Sequence, residues 1–206
     1  MTDKNNPKIS IISPSYNHGK YIKYFIESVL NQTEQDFELI IVDDNSTDNN
    51  IEELKKFDDK RIILIQHDYN QGINSGLNSA FATAKGQYII FMATDDTFAP
   101  NHLEVSSKYM DEHPDCDVFY SSLRPIDENN EPIKERPDAY VLKQWDKFEY
   151  LKKAFEKGNY LTSPGMVFRR KAFERLYPLD LSVIQYQDYA MHIKLLIKGE
   201  IYLSEE

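Results

Sequence analysis

The chain has 206 residues, enough for one domain with a substantial core, and its composition is that of a globular protein rich in Tyr (14) and Phe (11). A formal net charge of −10 argues against binding to nucleic acid backbones. It also makes a phosphorylated ligand unwelcome unless a cation or local donors intervene.

The single cysteine, Cys116, excludes an internal disulfide and a multi-cysteine metal site. Between two acids at a strand start, it reads as a structural thiol. Residues 1–6 carry no apolar leader, and no run reaches the roughly 18 apolar residues of a membrane span. The expectation is a cytoplasmic chain, working at the inner face of the membrane if a later segment binds there.

In chain order, Ile9 to Ser13 reads as a first strand ended by Pro14, with a turn-forming loop from Pro14 to Gly19. Ile22, Phe25, Ile26, Val29 and Leu30 then share one face of a helix. Phe37 to Val42 is a second strand that stops on Asp43 and Asp44. Ser46, Thr47 or Asp48 can cap the next helix, whose apolar face is Ile51, Leu54 and Phe57. Ile62 to Ile65 is a third strand. Asn70, Gln71 and Gly72 lead into a helix with Leu77, Ala80, Phe81 and Ala84 on one face.

Gly86 ends that helix, and Gln87 to Ala93 forms a buried strand that halts on Thr94, Asp95 and Asp96. Adjacent carboxylates at the carboxyl end of a parallel strand suit a hard divalent cation that also holds a diphosphate. A solvated turn or a helix N-cap suits the same residues. A weaker helix ends at His113 and Pro114, and Val118 to Tyr120 is a fifth strand. Regularity fades between Ile126 and Asp138. A helix with Phe148, Leu151 and Phe155, a loop into a short strand ending near Phe168, a short helix and a last helix opened by Asp188 follow. Residues 199–206 read as a strand beginning, as in a piece of a longer protein. Strands alternating with helices predict an α/β fold with a mostly parallel sheet covered on both faces.

Several motifs in order carry a resemblance. They are Ser10 to Asn17, Ile26 to Thr33, Glu38 to Asp48, Asn70 to Gly72, Ala84 to Ile89, and Thr94 to Asp96. Together they resemble family 2 glycosyltransferases, strongly over residues 8 to 110 and loosely over 160 to 200. The resemblance implies the GT-A fold in one domain across residues 1–206. Residues 8–125 would form the nucleotide-sugar half and 126–206 the acceptor half. It implies inverting sugar transfer from a UDP-sugar to an acceptor hydroxyl, in bacterial surface polysaccharide or glycan synthesis. The acceptor would be a saccharide or a lipid-linked saccharide, and peripheral membrane contact would fall to a later segment. A nucleotide-sugar-binding module without turnover is the alternative.

Carried onto this sequence, Pro14, Ser15 and Tyr16 would line the nucleoside pocket, with Tyr16 stacking on the base. Asp44 would accept from the base, with Asp43 before it, and Asn70 and Gly72 would lie on the loop closing over base and ribose. Asp95 would sit beside the ribose or sugar, and Asp96 would ligate Mg2+ or Mn2+. Asp188 would be the general base. Ser163 and Gly165 would form part of the acceptor wall, with Arg169, Arg170 and His192 on the acceptor or phosphate side. Ordinary roles compete: a surface turn for Tyr16, helix caps for Asp44 and Asp188, a solvated pair for the arginines, and packing for His192. Two departures stand out. Ala93 and Gln187 occupy positions where the pattern usually has an acid. A receiver-type domain and a dinucleotide-binding enzyme fit less well. The acid pairs do not follow the first strand, and no G-x-G-x-x-G follows it either.

Overall fold

The computed structural model describes residues 6–121, 123–133, 147–157, 164–185 and 187–198. Apolar runs become strands β1 (Ile9–Ser15), β2 (Phe37–Asp43), β3 (Ile62–Gln66), β4 (Tyr88–Phe91), β5 (Val118–Phe119) and β6 (Met166–Arg169). Helices α1 (Ile22–Leu30), α2 (Asn50–Leu54), α3 (Ile73–Thr83), α4 (His102–Glu112), α5 (Lys147–Lys157), α6 (Arg170–Glu174) and α7 (Gln187–Lys198) surround them. The six strands form one sheet in the order β3-β2-β1-β4-β6-β5. β3, β2, β1 and β4 run parallel, whereas β6 is antiparallel to both β4 and β5.

Alternation along each strand splits the core in two. Ile9, Ile11, Leu39, Ile41, Tyr88 and Ile90 face Phe25 and Val29 of α1 and Leu103 and Met110 of α4. Ile12, Ile40, Val42, Ile89 and Phe91 face Leu77 and Phe81 of α3, Phe173 of α6, and Met191 and Leu195 of α7. Burial on both sides explains why these strands read as unbroken apolar runs. The expected α/β architecture, mostly parallel and covered on both faces, is the one observed.

Three local differences have physical causes. β1 continues through Pro14 to Ser15, paired with β2. β4 lies alongside β1 only as far as Ile12, so no ladder bond is asked of the missing Pro14 N–H. Ahead of β4, an alanine-sized Cβ at Gly86 would sit 2.4 Å from Ser10 N and 2.6 Å from Ile9 C. The chain therefore needs glycine there to approach β1. On α5, Leu151 packs on the core, while Phe148 and Phe155 of the expected face are 78% and 71% exposed. The expected strand near residues 199–206 lies outside the described residues.

No helix among the described residues is long and apolar enough to cross a membrane. Parallel strands put their carboxyl ends on one rim. Ser15, Asp43, Gln66 and Phe91 end there, and the loops that follow gather at that rim.

Candidate active site

Two loops are pinned together at the ends of β1 and β2. Asn17 adopts φ +57° and Asn45 φ +62°, left-handed conformations that asparagine tolerates. Asn17 N donates to Ser46 Oγ (2.9 Å), Thr47 N donates to Asn17 Oδ1 (2.8 Å), and Gly19 N donates to Asp48 Oδ2 (2.8 Å). Tyr16 stands on this rim with 43% of its surface exposed.

Beneath the rim lies a buried polar network. Asn50 Nδ2 donates to Asp43 Oδ1 (2.7 Å), and Ser46 N donates to Asp43 Oδ2 (3.0 Å). Ser15 Oγ donates to Asn50 Oδ1 (3.1 Å), and Thr94 Oγ1 donates to Ser15 Oγ (2.7 Å). His18 Nδ1 lies 2.9 Å from Thr94 Oγ1. Ser15, Asp43, Asn50 and Thr94 are all buried. Pro14 packs against Gly76 of α3. Pro14, Ser15 and Asp43 thus hold the floor of the site, and Tyr16 is the member of that expected pocket that presents surface.

Asp44 has a different engagement from the expected one. Its Oδ1 faces His67 Nδ1 (2.7 Å) and accepts from Gln71 N (2.9 Å); its Oδ2 accepts from Gln71 N (3.0 Å) and Gly72 N (2.7 Å). A carboxylate offers about four lone-pair directions, and three donors of the chain, His67 Nδ1, Gln71 N and Gly72 N, engage them here. The structure shows Asp44 holding the loop through Asn70 and Gly72. Gly72 takes φ +85° at the start of α3, and Asn70 is exposed on the same loop. Asp44→Ala would orphan both loop N–H groups at a cost of about 2–3 kcal/mol. A thermal melt without nucleotide should therefore drop by about 5–10 °C. A melt within about 1 °C of wild type would refute the loop-holding role.

The turn after β4 carries Asp95, half-exposed, and Asp96, largely buried. Burial first, and then the neighbouring Asp95 charge, pushes the Asp96 carboxyl up to about 6. His18 Nε2 is 3.8 Å from Asp95 Oδ2. Among the described residues, no three His, Cys, Asp or Glu side chains gather in a metal-binding group. The chain offers a cation two adjacent carboxylates. Those hard oxygens, with the Asp95 charge acting on Asp96, fit Mg2+ or Mn2+ sharing its remaining positions with phosphate oxygens.

Asp188 stands in the first turn of α7, where its Oδ1 accepts from Tyr189 N (2.8 Å). A cleft of about 90 Å³ lies between the α3 start (Gln71 to Asn74) and Leu181, Val183, Ile184 and Gln187. Asn74 Nδ2 ties the two sides together through Asp180 O (2.7 Å). That cleft brings the start of α7 to the rim where the Asp44-bound loop lies.

Other expected site residues fall elsewhere. Antiparallel β6 puts Met166 opposite Phe91, at the site end, and Arg169 opposite Tyr88, at the far end. Arg169 Nη2 donates to Met110 O (2.8 Å) and His113 O (3.1 Å) at the end of α4, a C-terminal capping role. Arg170 Nε donates to Gly86 O (2.7 Å). Both arginines thus hold backbone carbonyls at the end of the sheet away from the acid pairs. His192 is buried against Met166 Sδ (3.0 Å) and the edge of Tyr120, and burial holds its pKa down at about 3. It packs the core rather than lining an open site. Gly165, at φ +73°, does lie at the site end, and its carbonyl is 3.1 Å from His102 Nε2. Ser163 lies outside the described residues.

Sequence reasoning overlooked His18, Asn50, His67 and Thr94. His18 and Thr94 lie inside motifs singled out above, but their contact joins positions 76 residues apart. No local spacing encodes it.

The match to known proteins agrees with this geometry. A family model described as glycosyl transferase family 2 matches residues 10–177. An uncharacterized glycosyltransferase of Methanocaldococcus jannaschii is 36% identical over 197 residues, covering 93% of this chain and 66% of the relative. The UDP-Glc:alpha-D-GlcNAc-diphosphoundecaprenol beta-1,3-glucosyltransferase WfgD of Escherichia coli is 39% identical over 102 residues, covering 50% of this chain and 40% of its own length. The crystal structure of Staphylococcus aureus TarS 1-349 superposes with a TM-score of 0.79 at 22% identity, covering 97% of this chain and 58% of TarS. The same TarS fragment has also been solved with UDP-GlcNAc. The chain thus spans less than two thirds of each relative's length, and the fold shared with TarS is GT-A. With four of the ordered motifs ending on one rim and a family match over residues 10–177, the chain belongs to glycosyltransferase family 2, among relatives that include polysaccharide-building enzymes.

Proposed function

We propose that this chain moves a sugar from a UDP-sugar to an acceptor hydroxyl with inversion, in the synthesis of a surface polysaccharide or glycan. The observation that carries this reading is the Asp95–Asp96 pair on the same rim as the exposed Tyr16, with Gln187, the residue before Asp188, lining the adjoining cleft. Tyr16 offers a flat face for a nucleobase. The specificity named for WfgD favours UDP as the nucleotide.

Asp188 accepts the proton of the acceptor hydroxyl as it attacks. The new bond forms from acceptor oxygen to anomeric carbon as the bond to the diphosphate oxygen breaks. Attack on the face opposite the leaving group inverts the centre. A carboxylate suits this role because the hydroxyl proton becomes acidic as the attack develops. Asp96, with Asp95 beside it, would hold Mg2+ or Mn2+, which when bound supplies Lewis-acid stabilisation of the departing diphosphate. Residues 126–206 would supply the acceptor side, which takes a saccharide or lipid-linked saccharide.

The test is a calorimetric titration with UDP, with Mn2+ present and again with EDTA, followed by assays for UDP-sugar hydrolysis and transfer. Metal-dependent UDP binding with slow UDP-sugar hydrolysis is expected. Binding without any turnover would favour a nucleotide-sugar-binding module. Failure to bind UDP or another nucleoside diphosphate would sink both readings.

A further inference from the structure

The buried network beneath the rim has a direction, and that direction ends on His18. Asp43 can only accept, so Asn50 Nδ2 donates to it and Asn50 Oδ1 is left as an acceptor. Ser15 spends its one proton on Asn50 Oδ1. It must therefore accept from Thr94, whose one proton is spent there in turn. His18 Nδ1, 2.9 Å from Thr94 Oγ1, has to be the donor. Four buried side chains thus fix the neutral ring as the Nδ1–H tautomer, with the lone pair on Nε2.

That lone pair looks toward another acceptor. Nε2 lies 3.8 Å from Asp95 Oδ2, beyond hydrogen-bond reach, and both side chains are accessible at 25% and 46%. Two acceptors held side by side on a rim call for a ligand with two adjacent O–H groups. A vicinal diol fits: one hydroxyl donates to the carboxylate and the other to the imidazole. Tyr16, two positions away on the same loop, presents its ring as the nucleobase face, which places the ribose rather than the transferred sugar within reach.

We propose that His18 Nε2 and Asp95 form an acceptor pair for the vicinal hydroxyls of the donor ribose, and that His18 makes the site select ribonucleotides over 2′-deoxyribonucleotides. This rests on the donor-site reading above. His18 here is a specificity-determining residue, and Thr94, Ser15 and Asn50 act through it by fixing its tautomer.

Two measurements test it. Nitrogen-15 NMR of the imidazole in the nucleotide-free protein, assigned by the signal lost in His18→Phe, should report the Nδ1–H tautomer; the Nε2–H tautomer would overturn the proposal without reference to any ligand. Calorimetry with UDP and with 2′-deoxy-UDP, each with Mn2+, should show wild type preferring UDP by about tenfold, the worth of one such hydrogen bond. His18→Phe should bring that ratio close to one. His18→Gln serves as the second variant, with the same loss expected, should the aromatic replacement fold poorly. An unchanged ratio in a folded variant overturns the role of His18 while leaving the donor site intact. Absence of UDP binding in wild type would instead overturn the donor reading, and the ribose role with it.

Discussion

Asp188→Asn is expected to lower kcat for sugar transfer by about 10²–10⁴-fold, the usual worth of a positioned general base. The amide keeps the size of the carboxylate and an oxygen that can still accept from Tyr189 N, 2.8 Å away in the native chain. The helix start should survive, and the melting temperature should move little. UDP affinity should also be unchanged, because the general base acts on the acceptor hydroxyl and not on the nucleotide. A variant that keeps activity within about threefold would refute the assignment. If the melting temperature falls while turnover persists, Asp188 is a helix cap and nothing more.

Asp96→Asn should have two effects of opposite sign. Its carboxyl is raised from 3.8 to about 6 by burial and by Asp95. A carboxyl raised in the folded state binds its proton more tightly there than in the unfolded chain. Its stabilising contribution is therefore present below about pH 4 and lost as pH rises through about 6. At pH 7.5 the wild-type protein, free of metal, carries this destabilising charge. Neutral Asn removes it, for a gain on the order of 1–3 kcal/mol, with water near the group favouring the lower figure. A metal-free melt at pH 7.5 should rise by about 2–12 °C, toward the lower end, and the gain should vanish near pH 4. The same variant should lose metal-dependent UDP binding, weakening it at least tenfold in Mn2+. Wild-type binding in Mn2+ should likewise fade as pH drops below about 6. Retained metal-dependent binding in the variant would remove Asp96 from the cation site. A lowered melt would show that its charge is not the strained one.

Much of this was legible in the chain because of how the sheet is covered. Strands buried on both faces must be apolar at successive positions, so Ile9 to Ile12, Leu39 to Val42 and Tyr88 to Phe91 announce themselves. Their helices carry one apolar stripe each, as in Phe25, Ile26 and Val29. The acids ending these runs mark where a parallel sheet binds ligands. The α5 phenylalanines show the limit of that logic. Their 3.6-residue spacing is real, yet among them and Leu151 only the leucine packs on the core.

What sequence alone determined, then, was the order of strands and helices, the covered parallel sheet, and the rim on which Asp43, Asp44, Asp95 and Asp96 appear. These follow from local periodicity and from where apolar runs stop. Tertiary structure decided which of those groups are free to act. Strand direction is not written in an apolar run, and antiparallel β6 carried Arg169 and Arg170 to the far end. Lone-pair occupancy is not written in a motif either, and the loop at Gln71 and Gly72 claimed Asp44. The proton direction that turns His18 toward Asp95 depends on contacts spanning 35, 79 and 76 residues. Hydrogen bonds of that range exist only once the sheet has brought the ends of β1, β2 and β4 together.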